Sequence, residues 1–179
     1  MKDLTFLVNW GDNKETAWSG TNYSLYKALS KYYNINDINL KGSHWVNSFM
    51  RHIFKMDSTT IDYYRRHFLG HKLSSIKGDV FQFSEVLSNN NCRNTYMYVD
   101  NTVSFVNYLR NEKPDIFAVS AFQNSNAKVF EKRGKEQDDY IRSCTGLFTM
   151  GHWLKDWLVG KGMDGNRIFV AGGGHQRKR

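Results

Sequence analysis

Three short groups of residues in this chain have types and positions suited to binding a ligand, one of them an anion. Gly20-Thr21-Asn22 begins a predicted helix directly after a predicted strand and loop, where backbone N–H groups and the helix dipole favour an anion. Asp100 and Thr102 follow a second predicted strand, and Gly172-Gly173-Gly174 follows the last one. Ligands of open parallel sheets bind beyond the carboxyl ends of the strands, so we predict that these groups face one crevice.

Two of these groups also have an ordinary structural explanation. Ser-Gly-Thr segments start many helices that bind nothing, and we expect Ser19 or Thr21 to cap this helix. The segment is neither a phosphate loop with Gly-Lys-Ser/Thr nor a Gly-x-Gly-x-x-Gly dinucleotide fingerprint. Asp100 could equally cap the helix that follows it. For Gly172 to Gly174, the absence of Cβ atoms lets the backbone turn sharply or approach a ligand.

The elements that position these residues are short apolar runs alternating with segments of helical spacing. The predicted strands are residues 4–8, 35–40 (an edge strand), 79–83, 95–99, 115–119, 146–150 and 167–171. The predicted helices cover 22–33, 45–55, a third that begins after 57–58 and ends around 70–77, 103–109, a surface segment at 124–142 interrupted near Gly134, and 152–161. In the third of these helices, Ile61, Tyr64 and Phe68 form an apolar face opposite Arg65-Arg66.

This alternation predicts a single α/β domain over residues 1–174. We expect a Rossmann-like, doubly wound and mainly parallel sheet of six or seven strands, with helices on both faces. The last unit is the clearest, because two apolar strands joined through a helix should be parallel with a right-handed crossover. Residues 175–179 are polar and basic, and we expect a disordered tail.

Charge and cysteine content narrow the classes of partner and compartment. The 25 Lys and Arg residues exceed the 17 Asp and Glu residues, which gives a formal net charge of +8. The basic residues are scattered, so they indicate a solvated surface rather than a nucleic-acid-binding face. His52, His67 and His71 do not recur at metal-ligand spacing, and no metal is expected. Two cysteines and no secretory or membrane-spanning run predict a cytoplasmic protein.

Three segments resemble the large retaining glycosyltransferase family 4, whose members have the two-domain GT-B architecture. The first is Trp18 to Leu29, which is similar to the first loop and helix of those proteins. The second is Tyr96 to Val103, a tyrosine-rich strand ending in Asp-x-Thr. The third joins Gly146 to Leu158 with Arg167 to Gly174, and it is similar to the unit that closes their N-terminal domain.

The resemblance implies transfer of a hexose from a nucleotide-sugar donor to a glycan or lipid-linked acceptor, without a metal or other cofactor. Gly20, Thr21, Asn22 and Thr102 would bind the donor diphosphate or the acceptor. Asp100 would face the reacting sugar, and Gly172 to Gly174 would lead into the interdomain hinge. A lipid-linked acceptor would bring the protein to the inner face of the membrane as a peripheral protein.

The chain also departs from that family's pattern. No two of its glutamates are eight residues apart, as the family's donor-site pair is, and the segment expected to form the second domain does not follow Gly174. We therefore expect a truncated product whose partner is a missing C-terminal GT-B domain, inactive or nearly so alone, with uncovered apolar surface that favours self-association. The alternative is a non-catalytic α/β module that binds a glycan or an anionic surface.

Overall fold

The computed structural model describes residues 1–83 and 92–171. Within them six strands form one parallel sheet in the order β2-β1-β3-β4-β5-β6. The strands are β1 (Lys2–Val8), β2 (Tyr33–Asn39), β3 (Gly78–Phe83), β4 (Cys92–Val99), β5 (Gly146–Thr149) and β6 (Ile168–Val170). The predicted Rossmann-like α/β fold is confirmed, with β2 at an edge of the sheet as expected. The tail at 175–179 lies outside the described residues.

Seven α-helices lie in the described part of the chain. They are α1 (Thr21–Leu29), α2 (His44–Phe54), α3 (Ser58–Lys72), α4 (Val103–Glu112), α5 (Pro114–Ala118), α6 (Ala127–Ser143) and α7 (His152–Gly160). A 3₁₀ turn, Ala17–Gly20, leads directly into α1. Among these residues no helix has both the length and the apolar character needed to cross a bilayer.

The two faces of the sheet carry different helices. On one face, which we call the α1 face, Phe6 and Phe81 stack at 5.6 Å and Tyr26 of α1 packs edge-on against Phe6. On the opposite face, Leu7 and Val80 pack near α3, while Met97 and Leu147 pack against α6 and α7. Each fully buried apolar side chain of this kind contributes about 1.5–3 kcal/mol to folding. Helices therefore cover both faces, as predicted.

The strand order defines where the chain reverses direction across the sheet. The chain passes from β1 to β2 on one side of β1, then crosses over to β3 on its other side. In doubly wound sheets the crevice for a ligand opens at such a switch point, beyond the carboxyl ends of the two strands. Here that point lies between the ends of β1 and β3, where the loop from β1 to α1 begins.

One predicted strand is wrong. Residues 115–119 do not join the sheet, because Pro114 and Asp115 begin the short helix α5, which ends at Ala118. Proline suits the first helical position, where its missing N–H would have no partner, and aspartate in the first turn suits the helix dipole. Phe117 packs against the α4–α6 cluster, while Val119 stays exposed.

Three helix predictions also need correction. Helix α1 ends at Leu29, short of the predicted residue 33, because β2 begins at Tyr33. Helix α6 passes through Gly134 without interruption, and it is not a surface helix, since Phe130 and Ile141 are buried. A Cβ at Gly134 would lie 2.9 Å from Nδ2 of Asn107 on α4, so glycine at this position allows the two helices to pack closely.

Candidate functional site

The start of α1 lies at the carboxyl end of β1, beside the switch point of the sheet. Gly20 occupies the N-cap position with φ of 83°, a left-handed conformation that favours glycine. The N-cap residue is Gly20 and Thr21 is already the first residue of α1, so neither Ser19 nor Thr21 occupies the predicted N-cap position. The N–H groups of the first turn are those that an anion can use.

The loop between β1 and α1 is held in place by contacts to the exit of β2. The Trp10 indole N–H donates to Oδ2 of Asp37 at 3.0 Å, and Nζ of Lys14 donates to the same oxygen at 2.8 Å. The Lys14 ammonium also lies 4.0 Å from the centre of the Tyr26 ring on α1. These contacts connect β2, the loop and α1, and they fix the direction in which the first turn of α1 points.

Asn22, at the second position of α1, is buried, with an exposed fraction of 1%. Within residues 1–83 and 92–171, neither Oδ1 nor Nδ2 of its amide has a hydrogen-bond partner. An unpaired amide in the interior costs about 1–3 kcal/mol, and most buried polar groups in native proteins avoid this cost. The first turn of α1 therefore combines a glycine N-cap with a buried amide whose donor and acceptor have no partner within the described residues.

The exit of β4 carries the second predicted group. Thr102 is the N-cap of α4, and its hydroxyl accepts a hydrogen bond from the Phe105 N–H at 3.3 Å. Asp100 therefore does not cap this helix. Burial raises the pKa of the Tyr98 phenol, and the nearby Asp100 carboxylate raises it further. Thr102 is buried and its side chain caps α4, whereas Asp100 is partly accessible at the carboxyl end of β4.

The topology brings these two groups to one edge of the sheet without placing them in contact. β3 lies between β1 and β4, so their exits are separated by two strand spacings, or about 10 Å. That separation suits a ligand of several groups rather than one ion. Gly172, Gly173 and Gly174 lie outside the described residues, and in the described part no three His, Cys, Asp or Glu side chains come together in a way that could hold a metal ion.

A cluster of charged residues on α3 was not anticipated from the sequence. Arg66 was expected on an outer surface opposite Tyr64 and Phe68, yet Arg66 is buried and both aromatic residues are exposed. Asp62 binds Arg65 and Arg66, which lie three and four residues further along the helix. That spacing predicts helical ion pairs and could have suggested this cluster. The third arginine, Arg133, comes from α6, and only the tertiary fold reveals it.

Helix α2 exposes an apolar face to solvent. Trp45, Phe49 and Ile53 lie on one face, as their spacing predicts, with exposed fractions of 73%, 44% and 61%. Trp45 stacks on Phe49 at 5.7 Å, so the exposed side chains form one patch. Monomeric proteins rarely expose such a contiguous patch unless it binds a partner or a membrane.

No family model matches the chain, and no curated protein matches it either.

Proposed function

We propose that this chain is the acceptor-side, N-terminal domain of a GT-B glycosyltransferase of the family 4 type. Its reaction is transfer of a sugar from a nucleotide-sugar donor to a glycan or lipid-linked acceptor. The observation that carries the proposal is the first turn of α1, where the N-cap Gly20 is left-handed and the buried Asn22 amide has no partner within the described residues. The sequence motifs described above support it independently.

Each residue of the site has a chemical role in this proposal. The N–H groups at the start of α1 face the diphosphate, whose negative charge grows as it leaves the sugar. The Asn22 amide donates to a phosphate or sugar oxygen and accepts from a sugar hydroxyl. Asp100 accepts a hydrogen bond from a hydroxyl of the reacting sugar or the acceptor. In the family that the chain resembles, a second domain supplies most donor contacts, so binding is the property to measure first.

The test is binding of nucleotide sugars to the purified chain. UDP-glucose, UDP-N-acetylglucosamine and GDP-mannose would be titrated and followed by saturation-transfer NMR and calorimetry. Asn22→Leu removes both amide contacts and should weaken binding at least about ten-fold. Asn111→Leu, at an exposed position of α4, is the matched control and should leave binding unchanged.

Two outcomes would count against this function. One is that none of the nucleotide sugars binds to the wild-type chain. The other is that a nucleotide sugar binds equally well to the wild-type chain and to Asn22→Leu, because the first turn of α1 would then not be the site. Asp100→Asn should reduce affinity more than Asp115→Asn on α5, which carries the same charge change away from the strand exits.

The apolar face of α2 favours a second candidate function, binding to an anionic membrane surface. Residues 38–56 contain Lys41, Arg51 and Lys55 and no Asp or Glu, so this amphipathic segment is positively charged. A basic helix with exposed aromatic side chains is typical of proteins that lie in the membrane interface. Inserting Trp45, Phe49 and Ile53 into the acyl boundary would contribute about 1.5–3 kcal/mol for each side chain.

Vesicle flotation tests this second function. The chain should float with phosphatidylcholine vesicles that contain phosphatidylserine, and much less with phosphatidylcholine alone. Phe49→Ser should reduce flotation, whereas Val119→Ser removes an exposed apolar residue from α5–α6 and should not. Equal loss in both variants, or no flotation of the wild-type chain, would rule out α2 as a membrane-binding surface.

A further inference from the structure

The exits of β4 and β5 lie side by side, and a helix begins directly after each of them. Val99 and Thr149 are partners in the sheet, and the Met150 N–H donates to the Val99 carbonyl at 3.1 Å. Helix α4 starts at Val103 after the first exit, and α7 starts at His152 after the second. Ligands of parallel sheets bind beyond such exits, so side chains in the first turns of α4 and α7 border the crevice.

Aromatic rings from these two helices meet at this place. The ring centres of Phe105 on α4 and Trp153 on α7 are 5.0 Å apart. Behind them, Trp157 lies 5.1 Å from Phe105 and 4.8 Å from Tyr108, and the Lys161 ammonium lies 4.8 Å from the centre of the Trp157 ring. Trp157 is therefore surrounded by neighbours, whereas Trp153 is the most exposed ring of the four, with an exposed fraction of 46%.

The Trp153 indole is held in position without being part of the core. Helix α7 is anchored to the sheet by Leu154 and Leu158, which are fully buried. The Trp153 indole lies against the backbone of Gly151 at the exit of β5, because a Cβ at Gly151 would lie 3.1 Å from Cδ1 and 3.3 Å from Nε1 of the indole. Glycine at this position and the Phe105 ring on α4 therefore fix an indole that remains nearly half in solvent. A ring fixed in this way loses little conformational freedom when it binds a ligand.

We propose that Trp153, supported by Phe105, is a stacking platform for a pyranose ring of a neutral glycan. A pyranose has an apolar face of C–H groups that packs on an aromatic ring, and hydroxyls along its edge that exchange hydrogen bonds with polar groups beside the ring. Asp100, which is partly accessible at the neighbouring exit of β4, would accept a hydrogen bond from one of these hydroxyls. The same carboxylate would repel a phosphate at this exit, which favours a neutral ligand over a nucleotide or an anionic lipid.

This inference rests on the proposed function, because it names the acceptor of the transfer as a neutral glycan that binds at the exits of β4 and β5. The two can nevertheless be tested separately. The proposed donor site is the first turn of α1, at the exit of β1, and Trp153 follows β5, which lies three strands further along the sheet.

The experiment follows the indole N–H signals of the ¹⁵N-labelled chain by NMR while glycans are added. The chain has five tryptophans, and the signal of Trp153 is the one that disappears in Trp153→Ala. Maltotriose, cellotriose, mannotriose and chitotriose would be titrated one at a time. At least one of them should shift the Trp153 signal and leave the Trp45 signal in place. Trp45 is the matched control, since it is more exposed than Trp153 and stacks on Phe49 of α2.

Matched variants decide whether the ring itself binds the glycan. Trp153→Ala should weaken binding at least about ten-fold, as expected for an aromatic anchor, and Trp45→Ala should leave it unchanged. Trp153→Tyr retains a ring and should keep most of the affinity, whereas Trp153→Leu retains only apolar volume and should lose as much as Trp153→Ala. Gly151→Ala keeps all five tryptophans but displaces the Trp153 indole, and it should also weaken binding. The Gly151 backbone is extended, with φ of −156°, so alanine fits it without strain.

Three results would overturn this inference. The first is that no glycan shifts the Trp153 signal, and the second is that Trp153→Ala and Trp45→Ala weaken glycan binding equally. The third is that the wild-type chain self-associates in sedimentation velocity, Trp153→Ala does not and no glycan binds, because the platform would then be a contact between two copies of the chain.

Nucleotide-sugar titrations separate this inference from the proposed function. Trp153→Ala should bind nucleotide sugars as the wild type does, and Asn22→Leu should bind the glycan as the wild type does. Glycan binding at Trp153 without any nucleotide-sugar binding would contradict the proposed function and leave a glycan-binding platform. Weaker nucleotide-sugar binding in Trp153→Ala, with no binding of a free glycan, would mean that the platform holds the donor sugar and that the acceptor assignment is wrong.

Discussion

Replacing Asn22 with leucine should stabilise the free protein while removing its ligand binding. Asn22 is buried on α1 and both polar atoms of its amide lack a partner within the described residues. Leucine has nearly the same shape and needs no hydrogen bond. It therefore removes the desolvation cost of the amide without creating a cavity or an overpacked position.

The magnitude follows from two contributions of the same sign. Removing an unpaired buried amide recovers about 1–3 kcal/mol. Leucine also has a higher helix propensity than asparagine, which adds about 0.4 kcal/mol. For a chain of 179 residues, each kcal/mol raises Tm by about 2–4 °C. We expect Asn22→Leu to unfold at a higher urea concentration with an unchanged m-value.

Two comparisons make this result interpretable. Asn111→Leu, at an exposed position near the end of α4, measures the helix-forming contribution alone and should change stability by less than about 0.5 kcal/mol. A saturating nucleotide sugar should raise the Tm of the wild-type chain and leave that of Asn22→Leu unchanged. If Asn22→Leu is less stable than the wild type while Asn111→Leu is neutral, the Asn22 amide is hydrogen-bonded in the free protein and the reasoning is wrong.

Two further changes test the packing and capping described above. Gly134→Val should lower the free energy of unfolding in urea by about 1–3 kcal/mol, because the valine side chain would meet Asn107 of α4. Gly160 has open space around it, so Gly160→Val should lower the free energy of unfolding by less than half of that. Asp57→Ala should cost about 1 kcal/mol near neutral pH, because the cap of α3 is lost. Burial opposes ionisation of Asp57, but hydrogen bonds from Thr60 outweigh it and lower its pKa, so its contribution is present above the unfolded-state pKa and disappears as pH falls through the folded-state value. A difference between wild type and Asp57→Ala that persists in acid would contradict this assignment.

The elements that sequence predicted best are those whose pattern is local and whose burial is complete. The predicted strand at 146–150, helix at 152–161 and strand at 167–171 match β5, α7 and β6 to within a few residues. Leu154 and Leu158 are both fully buried, so the apolar residues whose spacing predicted the helix are the ones that pack in the core. The run at 115–119 is equally apolar, but Pro114 and Asp115 favour the start of a helix. The described sheet accordingly has six strands, and this run is not one of them.

The candidate site was predictable only in part, for a different reason. The position of Gly20 to Asn22 at a helix start follows from the order of strand, loop and helix, which is written in the sequence. The burial of the Asn22 amide depends on what surrounds it in three dimensions. The same holds for Arg133, which is 71 residues from Asp62 by the numbering of the chain and meets it only because α3 packs against α6. Composition therefore predicted basic residues scattered over a solvated surface, whereas the fold brings Arg65, Arg66 and Arg133 together around Asp62.

The two proposed sites lie at one end of the molecule but on opposite faces of the sheet, and this arrangement predicts how their variants combine. The first turn of α1 belongs to the α1 face, whereas the aromatic platform is formed by α4 and α7. Mutations at sites that are well separated and share no partner usually add to within about 0.5 kcal/mol. The double variant Asn22→Leu/Trp153→Ala should therefore lose nucleotide-sugar binding to the extent of Asn22→Leu alone and glycan binding to the extent of Trp153→Ala alone. If each change also weakens the ligand of the other site, the two ligands share contacts, and the two sites are parts of a single crevice that crosses the carboxyl ends of the strands.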